Sequence, residues 1–281
     1  MISDSLFFVG NATVLLRYAG FSLLTDPNFI HSGESVPLGY GLSTERLTDP
    51  AMEIEDLPQL DAVVLSHYHG DHFDRVAEER LSRAVPILTT PEAAEILERA
   101  GFREARGMDT WQSVELRSQE GNGLARLTAL PGRHGPDGIS FALPDVMGSC
   151  VELWRDGRSA DGQPDLRLYI SGDTLMYEGI HEIEQRMPRF DMALLHLGGT
   201  RVMGLTVTMD AEQGLEMMRT LRPARTVPIH YNDYEAFKSP LEDFQRLVAE
   251  AGLGDQVHYL SHGDGLPLAS MSATLHGERT R

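Results

Sequence analysis

The sequence predicts an α/β architecture in which two mixed sheets pack face to face with helices on the outside. Three observations predict it. β-Branched and aromatic runs punctuated by tight turns open the chain, alternating helical and strand periods follow, and that succession occurs twice within 281 residues. No Ser/Gly/Pro tract or charge block divides the chain and no internal repeat is visible, so one domain with a sizeable core fits best.

Residues 5–9, 12–18 and 21–25 are expected strands, separated by Gly10-Asn11 and Ala19-Gly20. Residues 28–58 carry glycine and proline without strong periodicity and read as a long loop of the kind that often serves function. The apolar run 61–66 reads as a buried strand, and polar, histidine-rich sequence follows it at once. Helices are expected over 74–82 and 91–100, the second with Thr90 as N-cap and Pro91 at its first position. A strand over 86–89 lies between them. The signals are then mostly β, with strands over 111–117, 124–130, 138–143, 149–155 and 166–170 and an exposed hairpin loop over 156–165. Alternation returns with a strand over 191–195, a helix over 210–221, a strand over 226–230, a helix over 240–251 and a strand over 257–261.

Composition narrows the partners. With 42 acidic against 24 basic residues the formal charge is -18, which repels phosphate backbones and anionic lipid headgroups. Nucleic acid and membrane surfaces are therefore not expected partners; a small-molecule substrate is, with a homo-oligomer left open. Cys150 is the sole cysteine, so no intramolecular disulfide forms, and its place in an expected strand reads as a buried, inert thiol. The first residues lack a basic stretch, and Leu6-Phe7-Phe8-Val9 is too short for a signal core, so a cytoplasmic location is expected.

The informative segment is Ser66-His67-Tyr68-His69-Gly70-Asp71-His72. Three imidazoles and a carboxylate fall within six consecutive residues directly after an expected buried strand. Histidines this close would crowd positive charge if protonated, and in a core each needs partners. Neutral imidazoles converging on a divalent cation resolve the conflict, because the metal accepts their lone pairs. A surface histidine cluster without metal is the plain alternative. Three later places repeat the context of a short apolar run followed by a potential ligand: His134, Asp173 and His230. A lone histidine after a strand is more often a hydrogen-bonded surface or core residue; jointly, and in this order, these positions read as metal ligands.

The ordered set His67-x-His69-x-Asp71-His72, then His134, Asp173 and His230, resembles the ligand signature of the metallo-β-lactamase superfamily, from about Phe7 to about Gly265. Within it the chain looks like the branch of ascorbate-6-phosphate lactonase and the N-acyl-phosphatidylethanolamine phospholipase D relatives. The resembling pieces are Gly10-Asn11-Ala12-Thr13-Val14-Leu15-Leu16, Leu24-Thr25-Asp26-Pro27, Ser171-Gly172-Asp173-Thr174 and Ile229-His230-Tyr231. The resemblance implies an αββα sandwich with two divalent metal ions in a cleft at the strand ends. His67, His69 and His134 would hold one ion, Asp71, His72 and His230 the other, with Asp173 bridging them. Zinc is expected first, and manganese or iron suits the same donors. The implied activity is hydrolysis of a small-molecule lactone, ester or phosphodiester through a metal-bound hydroxide, with Asp71 accepting or passing a proton.

Relatives in that branch often carry His where this chain has Asn11, and commonly Pro where it has His196. His196 is thus a candidate substrate contact, with a hydrogen-bonded role behind the ligands as the alternative. Asp26 is a candidate to orient a metal-bound histidine, or else a turn cap. Specificity is expected from residues 28–58 and 198–208 and from Tyr68, Tyr231 and Asn232, any of whose aromatics could simply pack. Two competing functions use the same scaffold: a di-iron oxidoreductase and a non-catalytic metal-binding module. The flavin-linked oxidoreductase type places an acid where this chain has His69, and the complete ligand set argues against a decayed module.

Overall fold

The computed structural model describes residues 4–39, 41–119, 121–156, 162–202 and 204–268. The chain begins with an antiparallel meander, β1 (Ser5–Gly10), β2 (Thr13–Tyr18) and β3 (Phe21–Thr25). A hairpin follows, β4 (Ser35–Gly39) and β5 (Leu42–Glu45). Then come β6 (Ala62–Val64), α1 (Arg75–Arg80), β7 (Ile87–Thr89), α2 (Pro91–Arg99) and β8 (Ala105–Gly107). The second half runs β9 (Ser113–Arg117), β10 (Leu124–Leu130), β11 (Gly148–Trp154), β12 (Leu166–Ile170), α3 (Glu178–Arg186) and β13 (Met192–His196). A small hairpin of β14 (Arg201–Val202) and β15 (Leu205–Thr206) precedes α4 (Ala211–Leu221), β16 (Thr226–Ile229), α5 (Leu241–Glu250) and β17 (Gly265–Pro267).

Two mixed sheets result. The first has the order β17-β1-β2-β3-β6-β7-β8 and the second β16-β13-β12-β11-β10-β9. In each, one block is antiparallel and the other parallel: β3-β6-β7-β8 in the first and β12-β13-β16 in the second. Side chains alternate across a strand, and the burial follows that alternation. Ala62 and Val64 of β6, Leu168 and Ile170 of β12, and Met192 and Leu194 of β13 meet in the core between the sheets. The intervening Val63 packs outward with Ala77 of α1 and Leu97 of α2. Tyr169, Ala193 and Leu195 pack outward with Ile183 of α3, Leu215 and Met218 of α4 and Phe244 of α5. Helices therefore cover both outer faces, giving the αββα sandwich.

The starts of α1, α2 and α4 are capped by side chains. Asp74 Oδ1 accepts from Ala77 N at 2.8 Å, Thr90 Oγ1 from Ala93 N at 3.2 Å, and Asp210 Oδ1 from Gln213 N at 3.1 Å. Cys150 is buried, and burial pushes its thiol pKa up, in line with an inert role. Among the described residues no helix is long and apolar enough to cross a membrane.

Four expectations are corrected. The expected loop 28–58 contains the β4–β5 hairpin, whose Pro37 and glycine masked its period. The expected strand 138–143 is a 3-10 turn at Ser140–Ala142; Gly138 adopts φ 91° before it, and Phe141 projects out, 86% exposed. The expected strand 257–261 contributes only an isolated bridge from Val257 to Thr226. α3 and β8 were not expected, because α3 buries only Ile180 and Ile183 among polar residues and β8 is three residues long. Of the expected hairpin loop 156–165, residues 157–161 lie outside the described residues; β11 and β12 do pair antiparallel across it.

Candidate metal centre

Every expected ligand leaves the same edge of the sandwich. β6 ends at Val64 and the chain turns through Ser66 into the histidine segment, where the His72 and Phe73 amides donate to the His69 carbonyl at 3.0 and 2.8 Å. That tight turn brings His67, His69, Asp71 and His72 close together. From the facing sheet, His134 follows β10, Asp173 follows β12 and His230 follows β16.

The side chains converge in two groups. His67, His69 and His134 form one; Asp71, His72, Asp173 and His230 form the other, with ligand atoms within 4.8 Å of one another in each group. His72 Nε2 lies 3.4 Å and His230 Nδ1 3.5 Å from Asp173 Oδ1, and His230 Nε2 lies 3.4 Å from Asp71 Oδ2. Five of the atoms facing inward, His67 Nε2, His72 Nε2, Asp71 Oδ1, Asp173 Oδ1 and His230 Nδ1, are buried with no hydrogen-bond partner among the described residues. Buried polar atoms are almost always satisfied. A cluster of bare lone pairs aimed at shared points fits divalent cations, and the residues present fit that group.

The rings of His134, His72 and His67 are held by their far sides. The Val207 carbonyl can only accept, so His134 Nδ1 donates to it at 2.8 Å and Nε2 is left bare. His72 Nδ1 faces Asp26 Oδ1 at 3.5 Å, which likewise turns its Nε2 toward the carboxylates. Ser66 Oγ sits 2.9 Å from His67 Nδ1. Thr208 Oγ1 donates to Asp173 Oδ2 at 2.8 Å, leaving Oδ1 to face the rings. The electrostatics differ between the two groups. Burial, with His72 beside it, pushes the His67 pKa well down, and burial brings His134 to about 4, so both rings are neutral donors. Burial opposes charge on His72, yet Asp173 and Asp71 push its pKa well above the usual value. Burial would raise Asp173, but His230 and His72 hold its carboxyl well below the usual range. The carboxylates that draw a proton to His72 are the ones that would attract a cation.

A third group, Asp26, His72 and His196, lies behind the second. Asp26 is fully buried; its Oδ1 accepts from Ser66 N at 2.8 Å and Ser66 Oγ at 2.9 Å, and its Oδ2 faces His196 Nε2 at 3.5 Å.

Residues 24–231 match the family described as beta-lactamase superfamily domain. The chain belongs to the metallo-β-lactamase superfamily. It is similar to a UPF0173 metal-dependent hydrolase of Thermus thermophilus, 29% identical over 262 residues that cover 93% of this chain and 97% of the relative. Among solved structures it is similar to the isothiocyanate hydrolase from Delia radicum gut bacteria, with TM-score 0.76, 22% identity, and 93% and 98% of the two chains covered. A metallo hydrolase from Ignicoccus hospitalis gives TM-score 0.65 and 23% identity over 93% of this chain and 97% of that one. The two structural likenesses bear on the fold, which they share with this chain.

In this metallo-β-lactamase superfamily member two expected substrate contacts are corrected. His196 is 0% exposed, at the end of β13 with the inward parity of Met192 and Leu194, and offers no surface to a substrate. Tyr231 is buried in the core beside Phe8, its hydroxyl donating to the Leu260 carbonyl at 2.8 Å. Asn232 remains exposed, in the left-handed region at φ 57°, its Oδ1 accepting from Leu241 N at 3.4 Å. Tyr68 is half-buried and donates to Glu78 Oε2 at 3.1 Å. Asn11 Nδ2 donates to the Asp71 carbonyl at 2.6 Å, so the amide holds the ligand segment's backbone. Sequence reasoning missed Ser66, Ser171, the Val207 carbonyl and Thr208. The available signal was adjacency: Ser66 precedes His67, and Thr208 closes a segment singled out for specificity.

Proposed function

We propose that this chain is a binuclear metal-dependent hydrolase that opens a small-molecule lactone or cleaves an ester or phosphodiester, in the manner of the ascorbate-6-phosphate lactonase-like branch. The observation that carries the reading is the set of buried, unpartnered His and Asp atoms converging from both sheets. In this reading His67, His69 and His134 would hold one ion and Asp71, His72 and His230 the other, with Asp173 serving both; zinc is the proposed metal. When bound, two such cations supply Lewis acidity and bring water to a nucleophilic state near neutral pH. Asp71 sits between His69 and His230, with Oδ1 3.5 Å from His69 Nδ1, and serves as the proton acceptor. Thr208 and Val207 keep Asp173 and His134 aimed inward, so the donor set is preorganised. The His69 side chain, 13% exposed, marks the approach for substrate. Asn232, exposed beside His230, is the proposed polar contact.

Elemental analysis of protein purified without chelator is expected to find about two divalent ions per chain, since seven ligands exceed one tetrahedral set. The same preparation is screened against lactones, phosphodiesters, phosphomonoesters and an isothiocyanate, the last because a protein of this fold is an isothiocyanate hydrolase. Turnover lost to chelation and restored by zinc supports the proposal. A metal-replete protein that binds no ion at these residues overturns it.

A further inference from the structure

Two buried atoms behind the ligands face each other. Asp26 Oδ2 and His196 Nε2 are 3.5 Å apart, both side chains are fully buried, and neither atom has a hydrogen-bond partner among the described residues. The other oxygen of Asp26 is busy with Ser66 N and Ser66 Oγ, and His72 Nδ1 lies 3.5 Å from it. The His196 ring also stacks on His72, with planes 16° apart and centroids 5.9 Å apart. On its far side, Nδ1 is 3.0 Å from Ser171 Oγ, and that oxygen accepts the His196 amide proton at 3.0 Å. Ser171 has one hydroxyl proton, with the Gly172 carbonyl 2.9 Å away as its other acceptor.

A bare imidazole nitrogen against a carboxylate oxygen is repulsive, so the neutral ring carries its proton on Nε2. Its Nδ1 is then an acceptor, and the Ser171 hydroxyl can donate to it. Ser171 can then donate to His196 and His196 to Asp26, which also has His72 Nδ1 facing its other oxygen at 3.5 Å. Resting on the binuclear reading above, we infer that His196 is a positioning residue for the ion beside His72: its Nε2–H holds Asp26 in the orientation that receives His72 Nδ1–H and leaves His72 Nε2 bare for metal. The partners of metal-bound histidines set ring orientation and basicity, and their loss costs about 10–100-fold in metal affinity. Because His196 comes from β13 and Asp26 from the end of β3, the contact also ties the two sheets together under the centre.

The test uses four metal-loaded proteins: wild type, His196→Gln, His196→Asn and His196→Leu. A glutamine amide nitrogen reaches the place of Nε2 and keeps the donor to Asp26. An asparagine amide reaches only the place of Nδ1, and leucine supplies no donor. Zinc is withdrawn by titration with a chromophoric chelator, and parallel samples loaded with cobalt report ligand geometry by their visible spectra. We expect the asparagine and leucine variants to weaken one of the two zinc steps by about 10–100-fold and to change the cobalt spectrum, with the other step unchanged. His196→Gln should stay close to wild type in both readouts. If the leucine variant does not fold, the comparison of glutamine with asparagine decides. Equal affinities and spectra in glutamine and asparagine variants overturn this inference alone. A wild-type protein that takes up no zinc overturns it together with the metal-centre reading.

Discussion

Asp71 and Asp173 are both buried carboxylates among imidazoles, and they differ in how their oxygens are held. Asp173 Oδ2 is tied by Thr208, so a single oxygen, Oδ1, stands between His72 and His230. Asp71 presents Oδ1 to His69 and Oδ2 to His230. If Asp173 spans two cations, Asp173→Ala should abolish hydrolysis and lower occupancy of both ions, which otherwise repel at short range. Asp71→Asn, which keeps the shape, should cut kcat while leaving the first ion in place. Metal content and kcat of the two variants, measured side by side, check this; wild-type turnover by Asp173→Ala would rule out the bridging assignment. These carboxylates and the five histidines were legible in the sequence, since chemistry-bearing residues recur after apolar runs. The residues that aim them were not: serine and threonine are ordinary turn residues, and the Val207 carbonyl has no letter of its own. His196 and Tyr231 were read as substrate contacts because nearness along the chain says nothing about direction. Counting the alternation of β13 from Met192 and Leu194 would have turned His196 inward.

The elements place the site by a common rule. Ligands gather where parallel strands end, and here β3, β6, β12, β13 and β16 deliver Asp26, His67, Asp173, His196 and His230 to one edge. Strands with a clean period of two were legible to within a residue or two. The 28–58 and 138–143 segments were not, because proline and glycine there act on the backbone without leaving a period. The β4–β5 hairpin inside the first of these turns out to cover the ligand segment. A methyl group on Gly70 would come within 2.9 Å of Val36 Cβ and 3.1 Å of Pro37 Cδ. Gly70→Ala should therefore push the hairpin off the histidine turn and destabilise the fold by about 1–3 kcal/mol, with weaker metal retention. Thermal unfolding and chelator titration of that variant provide the check. An unchanged unfolding temperature would mean the hairpin yields freely.

At the scale of the molecule, the candidate centre lies between two sheets that also meet through an apolar core, in a chain of formal charge -18. Cations that bind only the folded state add stability, about 2.7 kcal/mol per site at 100 times the dissociation constant. Stripping the metal should thus lower Tm by on the order of 5–10 °C, and returning zinc should restore it in a concentration-dependent way. Calorimetry with and without chelator tests this, and a Tm indifferent to both would show that the ions do not couple to folding. Asp71 and His230 meet across 159 positions of sequence, in a chain whose single cysteine cannot make a disulfide. A metal shared between them would act as a staple closing a very long loop, and such closures restrict the unfolded chain more than short ones do. Unlike a disulfide, this staple can be drawn out under mild conditions. A molecule that loses its ions would give up activity and resistance to proteolysis in the same event, so that the inactive form is the one most readily cleared.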